Sequence, residues 1–263
     1  MAGELIDSHC HLNFDYSPKT ADDLIREAAA NGVVQMINVS TDLERLDQVP
    51  LFSEHHPNIF HTIGLHPHES STLKPEHLAL LKTKAEHPKC VAIGEIGLDY
   101  YYNHSTKDEQ IHALQQQLDL ALDLELPVVI HSRDAEADLL PALQSYAKKA
   151  KSTPGIIHCF TGTQQFGQAC IDAGFYISFS GILTFKNATD LQASAKAFGM
   201  DKILVETDSP FLAPVPYRGK KCEPSMVKMT ALKLAELKGV SFEEIADATR
   251  ENTRKAFKLP LPS

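Results

Sequence analysis

Eight short runs of apolar, largely β-branched residues recur along the chain, at 5–8, 33–39, 60–65, 91–96, 128–131, 156–159, 176–180 and 203–206. Between each consecutive pair lies a segment long enough for a helix, as at 20–31, 75–87, 106–124 and 135–148. Strands joined by such crossovers run parallel in one sheet, because a short hairpin cannot return the chain to a parallel neighbour. Eight repeats within 263 residues match the length at which a parallel sheet closes on itself. The pattern therefore predicts an α/β chain folded as a (β/α)8, or TIM, barrel. Punctuation agrees with it: Ser40-Thr41-Asp42 and Ser105-Thr106 read as helix caps, and Asn31-Gly32 and Ala173-Gly174 as helix ends. A Pro-rich loop at 209–224 precedes two more helices, at 225–238 and 242–256. With no linker or low-complexity tract, one domain over residues 1–263 is expected.

What distinguishes this pattern is where its polar residues fall. The strands end in Asp7-Ser8-His9-Cys10-His11, Gly64-Leu65-His66-Pro67-His68, Gly94-Glu95-Ile96-Gly97-Leu98-Asp99, His131-Ser132-Arg133-Asp134, His158-Cys159-Phe160 and Glu206-Thr207-Asp208. Six of the eight strands thus deliver His, Asp or Glu to one rim, the edge at which barrels of this kind carry their chemistry. His9 and His11, two apart on an extended segment, point the same way and form a chelating pair. Glu95 stands alone in an apolar strand, where a carboxylate is costly unless paired or metal-bound. Gly94 and Gly97 beside it indicate that something approaches the backbone closely.

His131 and His158 follow neighbouring strands at equivalent positions, and Asp208 on the last strand comes round to the first. Four imidazoles and two carboxylates exceed the three protein ligands of a single catalytic zinc. Two divalent ions are the simpler fit, one on His9, His11 and Asp208, the other on His131 and His158, with Glu95 between them. Such paired ions clamp an in-line displacement at phosphorus and activate water as hydroxide, with Asp208 taking a proton. Glu206 is expected to share or orient that proton, His66 and Arg133 to hold a substrate phosphate, and Asp99 to stand behind a ligand histidine. His55, His56, His61, His87, His104 and His112 read as surface residues.

Composition limits the substrate. The formal charge is −9, from 34 acidic and 25 basic residues, so the overall field repels a polyanion. This counts against a processive protein that wraps long nucleic acid; a DNA end or other phosphate-bearing substrate has to be held locally. The run Tyr217-Arg218-Gly219-Lys220-Lys221 is a basic patch suited to a backbone phosphate. The five cysteines contain no Cys-x-x-Cys pair and read as reduced thiols. Met1-Ala2-Gly3-Glu4 has no leader pattern and no run approaches a membrane span, so a cytoplasmic protein without membrane association or an obligate protein partner is expected.

In their order along the chain these motifs resemble those of the TatD family of metal-dependent nucleases, within the amidohydrolase-like barrels. The resemblance covers essentially the whole chain, from Asp7-Ser8-His9-Cys10-His11-Leu12 to Glu206-Thr207-Asp208-Ser209-Pro210. The segment 175–181 and the stretch 212–220 resemble a bacterial branch of that family. The resemblance implies a metal-dependent deoxyribonuclease, a 3′→5′ exonuclease supported by Mg²⁺, with His9, His11, Glu95, His131, His158 and Asp208 as metal positions. Four imidazoles favour Zn²⁺ or Mn²⁺ over the oxygen shell that Mg²⁺ prefers. The alternative on the same site is D-aminoacyl-tRNA deacylation. Amidases and lactonases fit less well, because many barrels of that chemistry carry a modified lysine on the fourth strand where this chain has Glu95.

Overall fold

The structure, a computed structural model, describes residues 3–261. Met1 and Ala2 of the N-terminal run, and the last two residues of the expected domain, lie outside the described residues. All eight expected strands form: β1 (Leu5–Cys10), β2 (Val33–Asn38), β3 (Ile59–Ile63), β4 (Cys90–Asp99), β5 (Val128–Arg133), β6 (Gly155–Ile157), β7 (Tyr176–Phe179) and β8 (Ile203–Val205). They run parallel in sequence order. Between and after them come α1 (Ala21–Ala30), α2 (Gln48–His55), α3 (Pro75–Ala85), α4 (Lys107–Leu124), α5 (Glu136–Ala147), α6 (Gln164–Asp172), α7 (Thr189–Ala197), α8 (Val227–Lys238) and α9 (Phe242–Phe257). No helix among the described residues is long and apolar enough to cross a membrane.

The barrel interior is filled by one apolar side chain from every strand: Ile6, Ile37, Phe60, Val91, Val129, Ile156, Tyr176 and Leu204. Ala256 and Phe257, at the end of α9, and Leu259 join this cluster and plug the barrel floor. Alternate residues face outward into a larger core shared with the helices. The ring closes between β8 and β1 at the opposite, polar end. There Cys10 and Ser209 form a parallel bridge, Asp208 N–H donates to His9 O at 2.9 Å, and His11 N–H donates to Ser209 O at 2.9 Å. Closure of the barrel thus sets Asp208 beside His9 and His11.

Reciprocal capping explains three of the nine α-helix starts among the described residues. Thr20 with Asp23, Thr106 with Glu109, and Ser241 with Glu244 make reciprocal capping boxes on α1, α4 and α9. Gly32 and Gly174 take positive φ just after α1 and α6, as the sequence predicted. Ser40-Thr41-Asp42 caps no helix, because α2 begins only at Gln48. Asp42 instead accepts from Arg45 N–H in a turn at the barrel mouth.

One further expectation is corrected, and the close approach expected at Gly94 and Gly97 is found. His61 is fully buried, not on the surface, because Phe60 takes the inward side of β3 and turns His61 under α2, where its Nδ1 meets Ser53 Oγ at 2.8 Å. What crowds Gly94 and Gly97 is the neighbouring strand. A Cβ on Gly97, at φ +151°, would sit 2.0 Å from His131 O, and one on Gly94 would sit 2.6 Å from Val129 Cβ.

Candidate metal centre

Glu95 is the hub of the polar rim. Its Oε1 lies 2.7 Å from His158 Nε2, 2.9 Å from His131 Nδ1 and 3.3 Å from His66 Nε2, while Oε2 lies 3.3 Å from His9 Nε2. A second convergence lies on the β1–β8 side, where Asp208 Oδ1 is 3.3 Å from His11 Nε2 and 3.6 Å from His9 Nε2. The two Nε2 atoms are 3.3 Å apart. All six residues assigned to metal from the sequence therefore meet in one place, brought from β1, β4, β5, the ends of β6 and β8.

The grouping differs in detail from the one expected. His9, His11 and Asp208 form one set of ligand atoms within 4.8 Å of one another, as anticipated. His66 was assigned to substrate, yet it groups with Glu95 and His131. His158 stacks on His9 with ring centroids 3.9 Å apart and groups with His9 and Glu206. His66 reaches Glu95 because Gly64 lets β3 pass against the Gly94 backbone, where a Cβ would meet carbon at 2.6 Å.

Buried partners behind these residues fix their orientation. His11 Nδ1–H donates to Val39 O at 2.9 Å, which leaves the Nε2 lone pair facing Asp208. Asp99 Oδ2 lies 3.0 Å from both His131 Nε2 and His68 Nε2, and Oδ1 accepts the N–H groups of Tyr101 and Tyr102. Glu206 Oε1 accepts Cys159 N–H at 2.7 Å and lies 3.3 Å from His158 Nδ1. It has no hydrogen bond to Asp208 among the described residues, so the shared proton expected from strand parity gives way to a contact with His158. Asp7, which the sequence reading passed over, pins β1 to β8 by accepting Thr207 N–H and Thr207 Oγ1–H at 2.9 and 2.6 Å.

Among the described residues, the charge of Glu95 and Asp208 is balanced by imidazoles alone. Burial pushes the Glu95 carboxyl up, but His158, His66 and His131 overcome it and hold it well below the usual carboxylate range. Burial likewise opposes ionisation of Asp208, and the contacts with His11, His9 and His158 outweigh it, so its value is also lowered. Burial lowers His66 to about 4, against the pull of Glu95.

Above this cluster opens a cavity of about 1460 Å³. Its walls carry eight carboxylates (Asp42, Glu69, Glu95, Asp99, Asp134, Glu136, Asp190 and Asp208) against two arginines, Arg45 and Arg133. Arg133 was expected to hold a phosphate; it lies at the wall over the Tyr101 and Tyr102 rings, its guanidinium carbon 4.2 and 4.9 Å from their centroids. The basic run 217–221 lines none of the cavity. Arg218 packs on Phe185, and Lys221 donates to Asp15 O at 2.7 Å. His104, expected on the open surface, lines the cavity wall.

The donor set fits divalent ions. Buried carboxylates and imidazoles aim several ligand atoms at shared points, no Lys or Arg among the described residues neutralises Glu95 or Asp208, and His9 Nδ1 and Glu206 Oε2 are buried without a hydrogen-bond partner. A parallel barrel with such a rim at the C-terminal ends of its strands is an architecture able to carry metal-dependent hydrolysis.

Comparison with known proteins gives the family. Residues 6–258 match the family described as TatD related DNase, and the chain belongs to it. It is 40% identical over 255 residues to "Uncharacterized metal-dependent hydrolase YabD" of Bacillus subtilis, covering 97% of this chain and 99% of that one. It is 32% identical over 265 residues to "3'-5' ssDNA/RNA exonuclease TatD" of Citrobacter rodentium, covering 98% and 100%. Among solved structures it matches YJJV, a TatD homolog from Escherichia coli, with a TM-score of 0.90, 29% identity and coverage of 99% and 100%. The chain is thus a metal-dependent hydrolase of the TatD family.

Proposed function

We propose that this hydrolase cleaves phosphodiester bonds in DNA, removing nucleotides from a 3′ end, with two divalent ions at the rim. One observation carries the reading: the donor ring around Glu95 opens into a mouth with eight carboxylates and two arginines. Such a mouth repels a phosphate unless cations sit in it, so a phosphodiester substrate requires the metal. The Citrobacter relative, named as an exonuclease on single-stranded DNA and RNA, supports the choice of substrate.

His9, His11 and Asp208 would hold one ion, and Glu95 with His66 and His131 the other, with His158 facing Glu95 between the two sets. Zn²⁺ or Mn²⁺ suits this imidazole-rich set. Bound there, the ions supply positive charge to the phosphoryl oxygens and acidify water. The protein's own groups do the rest. Val39 O keeps the His11 proton on Nδ1, and Asp99 does the same for His131 at Nε2. Asp208 takes the proton from the attacking water, because its side chain is 14% exposed whereas Glu95, Asp99 and Glu206 are at 4% or less. Glu206 orients His158 from beneath. Arg133 offers its fork of donors to a phosphate at the wall.

The test is to reload metal-free protein with Mg²⁺, Mn²⁺ or Zn²⁺ and offer end-labelled single-stranded DNA and a D-aminoacyl-tRNA in parallel. Stepwise loss of 3′ nucleotides that vanishes in Glu95→Ala supports the proposal. Deacylation without strand cleavage would replace it with ester hydrolysis on the same site.

A further inference from the structure

Tyr100, Tyr101 and Tyr102 follow β4 directly, yet only Tyr100 has its hydroxyl bound by the protein; the Tyr102 ring stacks on His104 at 5.9 Å and meets Tyr101 edge-on at 4.8 Å. The Tyr100 hydroxyl donates to Asp138 at 2.9 Å and Lys107 lies 4.0 Å above the Tyr100 ring. Tyr101 and Tyr102 are 57% and 51% exposed, and neither hydroxyl has a hydrogen bond among the described residues. Exposed apolar side chains that adjoin one another at the wall of a cleft mark a binding surface more often than scattered single ones do. Both line the cavity above the metal centre, and Tyr102 is one imidazole away from it: its ring centroid is 5.5 Å from that of His68, which is 6.3 Å from that of His131.

These rings are held to the metal-ligand frame. Asp99 Oδ1 accepts the backbone N–H of both tyrosines, each at 3.0 Å, while its Oδ2 faces His131 Nε2. Arg133 lies over one side of the two rings, its guanidinium carbon 4.2 and 4.9 Å from their centroids, and has no carboxylate partner among the described residues. The other arginine of the mouth, Arg45, is paired with Asp42 at 3.1 Å. An open aromatic pair, an unpaired guanidinium and a phosphate-handling centre in one wall match one kind of ligand: a base with a ring face to stack and a backbone phosphate beside it.

We infer that Tyr101 and Tyr102 form a base-stacking subsite, with Arg133 as its phosphate contact, that seats an unpaired nucleobase next to the bond to be cut. The inference rests on the nuclease reading and deepens it. A base inside a duplex has both faces covered by its neighbours, so the subsite selects a frayed or single-stranded end. Stacking of this kind is worth roughly 5- to 150-fold in binding per base.

The test is a cycle of substrate against variant on the metal-loaded enzyme. A single-stranded oligonucleotide with normal 3′-terminal bases is compared with one whose last two nucleotides are abasic, for wild type, Tyr101→Ala, Tyr102→Ala and Tyr102→Phe. Wild type should prefer the base-bearing strand by about 10-fold or more, chiefly in KM. The alanine variants should lose most of that preference, and Tyr102→Phe should keep it. In parallel, 2-aminopurine at the 3′ end is followed by stopped flow before turnover; wild type should quench it and the alanine variants should not. Alanine variants that discriminate against the abasic strand, or quench 2-aminopurine, as wild type does would overturn the inference. Quenching without strand cleavage by wild type would sink the nuclease reading and leave the subsite standing.

Discussion

Asp99→Asn is a small change whose consequence follows from hydrogen-bond polarity. The Asp99 carboxylate can only accept, so the His131 and His68 Nε2 atoms, each 3.0 Å from Oδ2, both carry protons toward it. His131 is thereby left with Nδ1 facing Glu95 Oε1 at 2.9 Å, on the side where a metal would bind. In the asparagine variant the Tyr101 and Tyr102 N–H groups still require an oxygen at Oδ1, so the amide NH₂ faces both imidazoles. Donor then meets donor, and His131 relieves the clash by moving its proton to Nδ1, which removes the lone pair offered to the metal. Loss of such a partner behind a metal ligand typically weakens binding 10- to 100-fold, about 1.4–2.7 kcal/mol. Calorimetric titration of Zn²⁺ or Mn²⁺ into metal-free wild type and variant measures it. Asp138→Asn, which loses only the contact with Tyr100, serves as control. An unchanged metal affinity in a folded Asp99→Asn protein would refute the reasoning.

Three other perturbations test the fold around the site. Gly97→Ala places a methyl 2.0 Å from His131 O at φ +151°, and should cost at least about 3 kcal/mol in urea unfolding or abolish soluble protein; wild-type stability would contradict the strand packing. Burial pushes the Asp7 carboxyl up to about 8, so it carries a proton at neutral pH and asparagine mimics it. Asp7→Asn, whose oxygen still accepts Thr207 N–H while its amide NH₂ turns to Thr207 Oγ1, should therefore cost under about 1.5 kcal/mol, whereas Asp7→Ala, which strands the buried Thr207 N–H and hydroxyl, should cost about 2–5 kcal/mol by thermal unfolding. Burial lowers His61 to about 3. The unfolded chain then binds a proton below pH 6.5 that the native state refuses, so stability falls as pH drops through that range, by about 2 kcal/mol between pH 8 and 5. His61→Gln should flatten this part of the profile, and an unaltered slope would show that other groups carry it.

Much of this molecule is legible in its sequence, for identifiable reasons. Parallel strands buried on both faces read as continuous apolar runs, so a polar residue at the end of one stands out, as Glu95 and Asp208 do. Barrel closure follows from the strand count, and with it the meeting of Asp208 with His9 and His11. What stayed hidden depends on packing between elements. His61 looks exposed until α2 covers the outer side of β3. His66 joins the carboxylate cluster rather than standing apart because β3 and β4 approach backbone to backbone at Gly64 and Gly94. Asp7 passes for part of a ligand motif, although it faces Thr207 across the barrel seam. Tyr101 and Tyr102 resemble core residues in composition, and only their exposure in the cavity wall gives them another part.

The central claim is that Glu95 and the imidazoles around it gather divalent cations, and anomalous diffraction from crystals grown with Zn²⁺ or Mn²⁺ tests it most directly. Peaks at the absorption edge should appear within the ring of His9, His11 and Asp208 and within that of His66, Glu95 and His131, and should disappear in Glu95→Ala. Peaks only at surface carboxylates, or a signal at the rim that survives that substitution unchanged, would contradict the account.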